Sequence, residues 1–239
     1  MAQFLDALRA LPAWAAALLA LAENALIMGA GVAFGHLLVR DLRKTEEQTL
    51  QRVLAGAAVL GNATVTLAGW YLWKHDLIHL DPTLSWWTAT DLFLLILIMD
   101  LVMYAGHALA HLPHVFGLAH RLHHRFTDAR PVTLFALHPA EVLGFGAVWI
   151  AVLAVHTFDA WAVAAYTVVN VVFGVLGHLG LDPTPARVRR SAVFFLVATP
   201  ALHVGHHRDP TCNLGFYTTI GDRLFGTLAA DYDRERAGA

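Results

Sequence analysis

His107-Ala-Leu-Ala-His111 sets two imidazoles four residues apart. His120-Arg-Leu-His123-His124 and His203-Val-Gly-His206-His207 are two copies of one HxxHH pattern, far apart in the chain. His178 stands alone after Gly177. On a helix, positions i, i+3 and i+4 share a face, so each cluster can turn its rings toward one metal. Neutral imidazole is a good ligand for iron, zinc, copper or nickel. Three clusters and His178 exceed what one ion can use, so two metals is the natural count. A first shell of nitrogen alone differs from that of the soluble Glu/His di-iron bundles. Twelve of the 15 histidines lie between 107 and 207. His36, His75, His79 and His156 lie outside these spacings and read as ordinary polar side chains, and His114 is off the spacing of the first cluster.

The elements that must position these clusters are membrane helices. The chain has 239 residues, 57% hydrophobic and 14% charged. A soluble domain carries roughly 25% charged residues. An ordinary globular protein, a disordered chain, a coiled coil and a nucleic-acid-binding surface are therefore excluded. Cys212 is the only cysteine, so no intramolecular disulfide, four-cysteine iron–sulfur site or CxxC zinc site can form. Asp6 spoils a basic leader, and Glu23 and Asn24 interrupt the first apolar stretch, which reads as a retained helix.

A spanning helix needs about 20 mostly apolar residues. Leu11 to Val39, Val53 to Trp73 and Trp86 to Gly106 meet this, and Val142 to Gly177 reads as a hairpin of two short spans broken at His156–Asp159. Ser191 to Leu202 is too short to cross and is expected at the interface. The expected class is an all-α integral membrane protein with about four to five transmembrane or hairpin helices and a cytoplasmic histidine-rich helical cap. Residues 1–85 are expected to be N-terminal transmembrane helices, 86–228 the catalytic domain and 229–239 a tail.

Fourteen of the 16 basic residues fall on one side of these spans, in three groups: Arg40, Arg43, Lys44 and Arg52; Arg121, Arg125 and Arg130; and Arg187, Arg189, Arg190, Arg208, Arg223, Arg234 and Arg236. Only Arg9 and Lys74 fall on the other. The positive-inside rule makes the first side cytoplasmic. Every histidine cluster maps to that side.

The order HxxxH, HxxHH, lone GH, HxxHH resembles the fatty acid hydroxylase superfamily, also called the sterol desaturase family. Asp100-Leu-Val-Met-Tyr104-Ala-Gly-His107 is similar to its D-x-x-x-Y-x-x-H lead-in, and His138-Pro-Ala-Glu141 to its H-P-x-E box. Gly177-His178-Leu-Gly-Leu-Asp182 is similar to its GHxGxD/E segment. Thr199-Pro200-Ala-Leu-His203 through His207, Asn213-Leu-Gly215 and Gly221-Asp222-Arg-Leu-Phe-Gly-Thr227 resemble its closing stretch. The likeness covers about residues 90 to 228. Ala108, Leu181 and Gly221 depart from the usual Arg, aromatic and Trp.

The resemblance implies a membrane di-iron oxygenase that uses O₂ and external electrons to hydroxylate an unactivated C–H of a sterol or fatty acyl lipid. A desaturase with the same site is the alternative. By carry-over, His107, His111, His120, His123, His124, His178, His203, His206 and His207 would ligate two iron ions, with His138 a further candidate. Asp100 and Tyr104 lie on one stripe with His107 and His111, and Asp100 is expected to accept an N–H from a ligating imidazole. Asp182 and Asp222 are similar candidates, and Glu141 is a partner for His138 or an arginine. A lipid in the bilayer and a separate ferredoxin or cytochrome with its reductase are the implied partners. A histidine-rich zinc protein and a bis-histidine haem carrier are readings from other classes.

Overall fold

The computed structural model describes residues 1–39 and 47–237. Arg40, Arg43, Lys44 and the Arg236 side chain, all counted above, lie outside what is described. The chain is all-α. Its first helices are α1 (Ala2–Ala10), α2 (Ala13–Leu38), α3 (Gln48–Lys74) and α4 (Trp87–Ala110). Then come α5 (Pro113–Val115), a π-helical turn at Phe116–His120, and α6 (Arg121–His124). A 3₁₀ turn at Pro131–Phe135 leads to α7 (Pro139–Ala154) and α8 (Ala160–Gly177). The last elements are α9 (Ala186–Arg189), a 3₁₀ turn at Val193–Phe195, α10 (Pro200–Arg208), α11 (Ile220–Phe225) and α12 (Tyr232–Ala237).

Four helices, α2, α3, α4 and α8, are long and apolar enough to cross a membrane, and α7 is a shorter apolar helix of 16 residues. The hairpin expected from 142 to 177 is present. Its turn is fixed by Asp159, whose carboxylate caps α8 by accepting from Trp161 N at 2.7 Å and Ala162 N at 3.1 Å. Proline at the first position of α7 and of α10 loses no hydrogen bond, since the first amides of a helix are unpaired anyway. The expected interfacial segment 191–202 is not one helix but the short 3₁₀ turn and the start of α10.

Five helices close a ring in the order α2, α3, α7, α4, α8, each packed on the next and α8 back on α2. Lipid gives no hydrophobic drive for helices to associate, so close approach must supply the attraction. Gly146 shows this: a Cβ there would lie 2.3 Å from Val65, so only glycine lets α7 lie flat on α3. At one end of the ring, β1 (Leu80–Asp81) pairs in parallel with β2 (Phe158–Asp159). Helix α1 lies across this end, held by Trp70 Nε1 to Leu8 O at 3.0 Å and Lys74 Nζ to Leu11 O at 2.7 Å. The opposite end carries the short helices and every histidine cluster. Between them the ring encloses a largely apolar cavity of about 560 Å³. Tyr232 of the expected tail is buried and its hydroxyl accepts from Thr199 N at 3.2 Å, so α12 packs into this end.

Candidate metal centre

Four segments bring the histidines together. The last turn of α4 carries His107, with His111 just beyond it. The π-helical turn and α6 carry His120, His123 and His124, α8 ends on His178, and α10 carries His203, His206 and His207. Their ring nitrogens form two groups, each with its donor atoms within 4.8 Å of one another. One holds His107, His111, His120, His124 and His206, and the other His123, His178, His203 and His207.

Each HxxHH box is divided between the two groups. The expectation that i, i+3 and i+4 serve one metal is corrected. At 100° per residue, i+4 lies about 40° to one side of i and i+3 about 60° to the other. One short helix therefore feeds two neighbouring sites. In each box the i and i+4 rings stay together (His120 with His124, His203 with His207), and the i+3 ring crosses to the other group.

The second nitrogens of four rings are bonded to fixed acceptors. Nδ1 of His107 faces Leu214 O at 2.8 Å, Nδ1 of His206 faces Cys212 O at 2.7 Å, and Nδ1 of His178 faces Gly174 O at 2.7 Å. Nδ1 of His120 faces Glu141 Oε1 at 2.7 Å, with both side chains buried. A ring that donates from Nδ1 carries a lone pair on Nε2. Yet His107 Nε2 lies 3.1 Å from His120 Nε2, so two lone pairs face each other. His206 and His124 meet through Nε2 at 3.1 Å, as do His178 and His203. The His107–His120 contact is repulsive unless a cation lies between the nitrogens, so the donor set fits metal.

Burial, first, and the neighbouring rings hold these imidazoles neutral. His111 is lowered to about 4, His124 to about 3 and His207 to about 2. Burial alone lowers His178 to about 4, against the opposing bond to Gly174 O. His123, His203 and His206 are lowered well below the ordinary value for the same reasons. A neutral ring is the ligating form.

Among the described residues, the carboxylate beside a ring of the two groups is Glu141, where Asp100 was expected. Asp100 instead accepts from Tyr217 N at 3.0 Å, Thr218 N at 2.9 Å and the Thr218 hydroxyl, and so ties α4 to the closing loop. Asp100 lies about 10 Å by helix rise from His107, two turns away along α4. Glu141 reaches neither His138 nor an arginine among the described residues. His138 is in neither group, because as the first cap of α7 its Nδ1 accepts from Ala140 N at 3.2 Å. Asp182 turns to Thr184 N at 2.9 Å and Arg189 Nη1 at 3.5 Å, a turn and ion-pair role.

Asp222 acts through the backbone. It accepts from Leu214 N at 2.7 Å, Gly215 N at 2.8 Å and Thr227 Oγ1 at 2.6 Å. Thr227 Oγ1 in turn meets Tyr104 OH at 2.9 Å. Asp222 and Tyr104 thus steady the strip whose Leu214 carbonyl faces His107. Asn213, at φ +58°, sits between the two carbonyls that receive Nδ1 of His206 and His107. A backbone carbonyl leaves no mark in the residue types, although the Asn213-Leu-Gly215 motif lies where these acceptors are. The departure at Gly221 also has a physical setting: a Cβ there would lie 2.6 Å from the Tyr104 ring, which fills the space a larger residue would need.

The cavity between the spanning helices reaches His107, His120, His123, His178 and His203. Metal in the two groups would therefore face an apolar chamber open along the membrane interior.

Comparisons with known proteins agree with this picture. The sequence model of the fatty acid hydroxylase family, "Fatty acid hydroxylase", matches residues 92–227. The chain is 27% identical over 168 residues to cholesterol 25-hydroxylase of Rattus norvegicus, covering 69% of this chain and 55% of that protein. It is 27% identical over 163 residues to Delta(7)-sterol 5(6)-desaturase ERG3B of Gibberella zeae, covering 65% and 47%. It is 27% identical over 135 residues to very-long-chain aldehyde decarbonylase GL1-1 of Oryza sativa subsp. indica, covering 54% and 22%. The match thus spans 55% and 47% of the length of the first two relatives. No solved structure matches.

Proposed function

Since the chain belongs to the fatty acid hydroxylase family, we propose that it is a membrane oxidoreductase that hydroxylates an unactivated C–H of a lipid at a di-iron site. The observation that carries this reading is nine ring nitrogens converging in two groups at the end of an apolar cavity. His107, His111, His120, His124 and His206 would hold one ion, and His123, His178, His203 and His207 the other. Iron held there would supply the reduction of O₂ and the abstraction of hydrogen from the substrate carbon.

The chain's own residues do the rest. Glu141 holds the Nδ1 proton of His120 and so keeps its Nε2 lone pair aimed into the group. The carbonyls of Cys212, Leu214 and Gly174 do the same for His206, His107 and His178. The helix ring excludes water and lines the route along which a lipid tail reaches the histidines. Residues 86–228 supply the chemistry, and 1–85 one wall of the chamber. The distribution of the basic residues supports a cytoplasmic position for the histidine end. There the exposed Arg187, Arg190 and Arg208 would steer an acidic ferredoxin or cytochrome toward the site.

Desaturation of the same lipid is the neighbouring outcome, since it differs only in which second hydrogen is removed. A five-nitrogen group is larger than the four-coordinate shell typical of structural zinc, which favours iron over a zinc protein. The test is metal analysis of the purified chain, joined to lipid profiling of cells with and without the gene. Two irons per chain and an oxygen-dependent lipid gaining one oxygen, or losing two hydrogens, are expected. Stoichiometric zinc from iron-replete cells, with no oxygen-dependent product, would overturn the reading.

A further inference from the structure

The cavity has two polar walls, and they differ. On α8, Asn170 Oδ1 accepts from Tyr217 OH at 2.6 Å, Tyr217 OH meets Tyr166 OH at 2.6 Å, and Thr167 donates to Val163 O at 3.0 Å. The hydroxyls of that wall are all bonded within it, and Asn170 engages its Oδ1 there. On α2 and α3, Glu23, Asn24, Asn62 and Thr66 line the same cavity. Asn24 Nδ2 donates to Ala20 O at 2.9 Å and to Thr66 Oγ1 at 3.1 Å, which uses both its protons and leaves Oδ1 as an acceptor. Among the described residues, neither Glu23 nor Asn62 has a hydrogen-bond or ion-pair partner. Both lie inside helices that cross the membrane. A carboxyl in that position is costly and is kept only where it meets a partner or a ligand. All four residues lie outside the stretch 92–227 that defines the family.

We propose that Glu23, Asn24 and Asn62 form a binding site for the hydroxyl group of a neutral lipid, which fixes how the substrate lies against the histidines. The proposal rests on the lipid-oxidising reading above and adds the substrate class. Two amides and a carboxyl together offer donors and acceptors, which suits a hydroxyl, whereas a lipid carboxylate would meet the carboxyl of Glu23. Depth sets the orientation. Gly61, next to Asn62, lies against Val142, the neighbour of Glu141, which touches His120. Asn62 is therefore near the level of the histidines, and Thr66 is about 6 Å deeper by helix rise. Asn24 is level with Thr66, to which it is bonded, and beyond that level the cavity runs about 10 Å further to Trp73 by the same rise, past apolar Leu8, Leu11 and Trp70. The tail fills that length, so the oxidised carbon lies near the hydroxyl end and is counted from it.

Trp70, Trp73 and Trp149 line the cavity and report its occupant without turnover. The experiment titrates the full chain in detergent with three brominated C18 probes, an alcohol, a carboxylic acid and a hydrocarbon, and reads the saturable quenching of tryptophan fluorescence. The alcohol is expected to bind about tenfold more tightly than the hydrocarbon, the acid no better than the hydrocarbon. Glu23→Leu and Asn62→Leu should each erase the preference, and Glu23→Gln should keep most of it. Equal binding of alcohol and hydrocarbon, preference for the acid, or an unchanged preference in both leucine variants would overturn the proposal. A misfolded leucine variant is recognised by its elution profile, and Glu23→Gln with the three probes still decides. Quenching needs no metal, so failure of the oxygenase reading shows in metal content and product and failure of this site in the probe preference.

Discussion

Glu141 Oε1 lies 2.7 Å from His120 Nδ1, and both side chains are almost wholly shielded, at 4% and 2% exposure. A carboxylate bound to the far nitrogen of an imidazole fixes its tautomer and raises its basicity as a ligand. Glu141→Gln, which keeps an acceptor but loses the charge, should lower metal affinity or rate by about 10-fold, and Glu141→Ala by about 100-fold. Mass-spectrometric metal content, with the elution profile unchanged, checks this. Full metal loading in the alanine variant would remove Glu141 from the centre.

The two groups give a paired prediction. His206→Ala takes a nitrogen from the group of five and His123→Ala from the group of four. Each should abolish turnover and reduce bound metal. His75, which follows α3 at the opposite end, should tolerate alanine with turnover and metal content intact. Metal analysis and product formation on the three variants decide it.

Asp100 has a structural task. It receives three hydrogen bonds from Tyr217 and Thr218 and touches no imidazole among the described residues. Asp100→Ala should cost about 2–4 kcal/mol of stability, since it strands buried donors. Melting in detergent should show the loss, while metal per folded chain stays near that of the parent. A large metal loss with an unchanged melting temperature would contradict this.

The depressed histidines set a pH dependence for the metal-free protein. Above about 6.5 the rings are neutral in both folded and unfolded chains. As pH falls below that value the unfolded chain takes up protons, whereas folded His111 and His178, at about 4, and His124, at about 3, do not. The unfolded state then gains, so stability falls between about pH 6.5 and about 4. Chelator-treated protein should melt at a constant temperature above pH 7 and progressively lower below 6.5. A flat profile across that range would show that the rings are not shielded.

Close packing of α7 on α3 gives a further check. Gly146→Leu drives a side chain into Val65, already 2.3 Å from where a Cβ would stand. Overpacking of this kind costs about 1–3 kcal/mol or more. Loss of monodisperse protein is expected, and the companion Val65→Ala should restore part of it.

The sequence by itself determined the class of the molecule and its reactive inventory. Low charge and long apolar runs can be satisfied only by membrane helices, and the histidine spacings name eight of the nine rings without reference to any contact, with His178 added by the family resemblance. It also placed the break of the hairpin at His156–Asp159, where Asp159 caps α8, because a cap is a local event. What only the tertiary structure decided is how those nitrogens are shared. Helical spacing shows that His120, His123 and His124 lie near one face, but the division into His120 with His124 and His123 apart depends on where α4, α8 and α10 come to rest. The choice of Glu141 over Asp100 as the carboxylate at a ring, and of the Cys212 and Leu214 carbonyls as acceptors, follows from the same packing. These are contacts between segments distant in the chain, set by how closely glycines let helices approach and by which loop Asp100 and Asp222 hold in place.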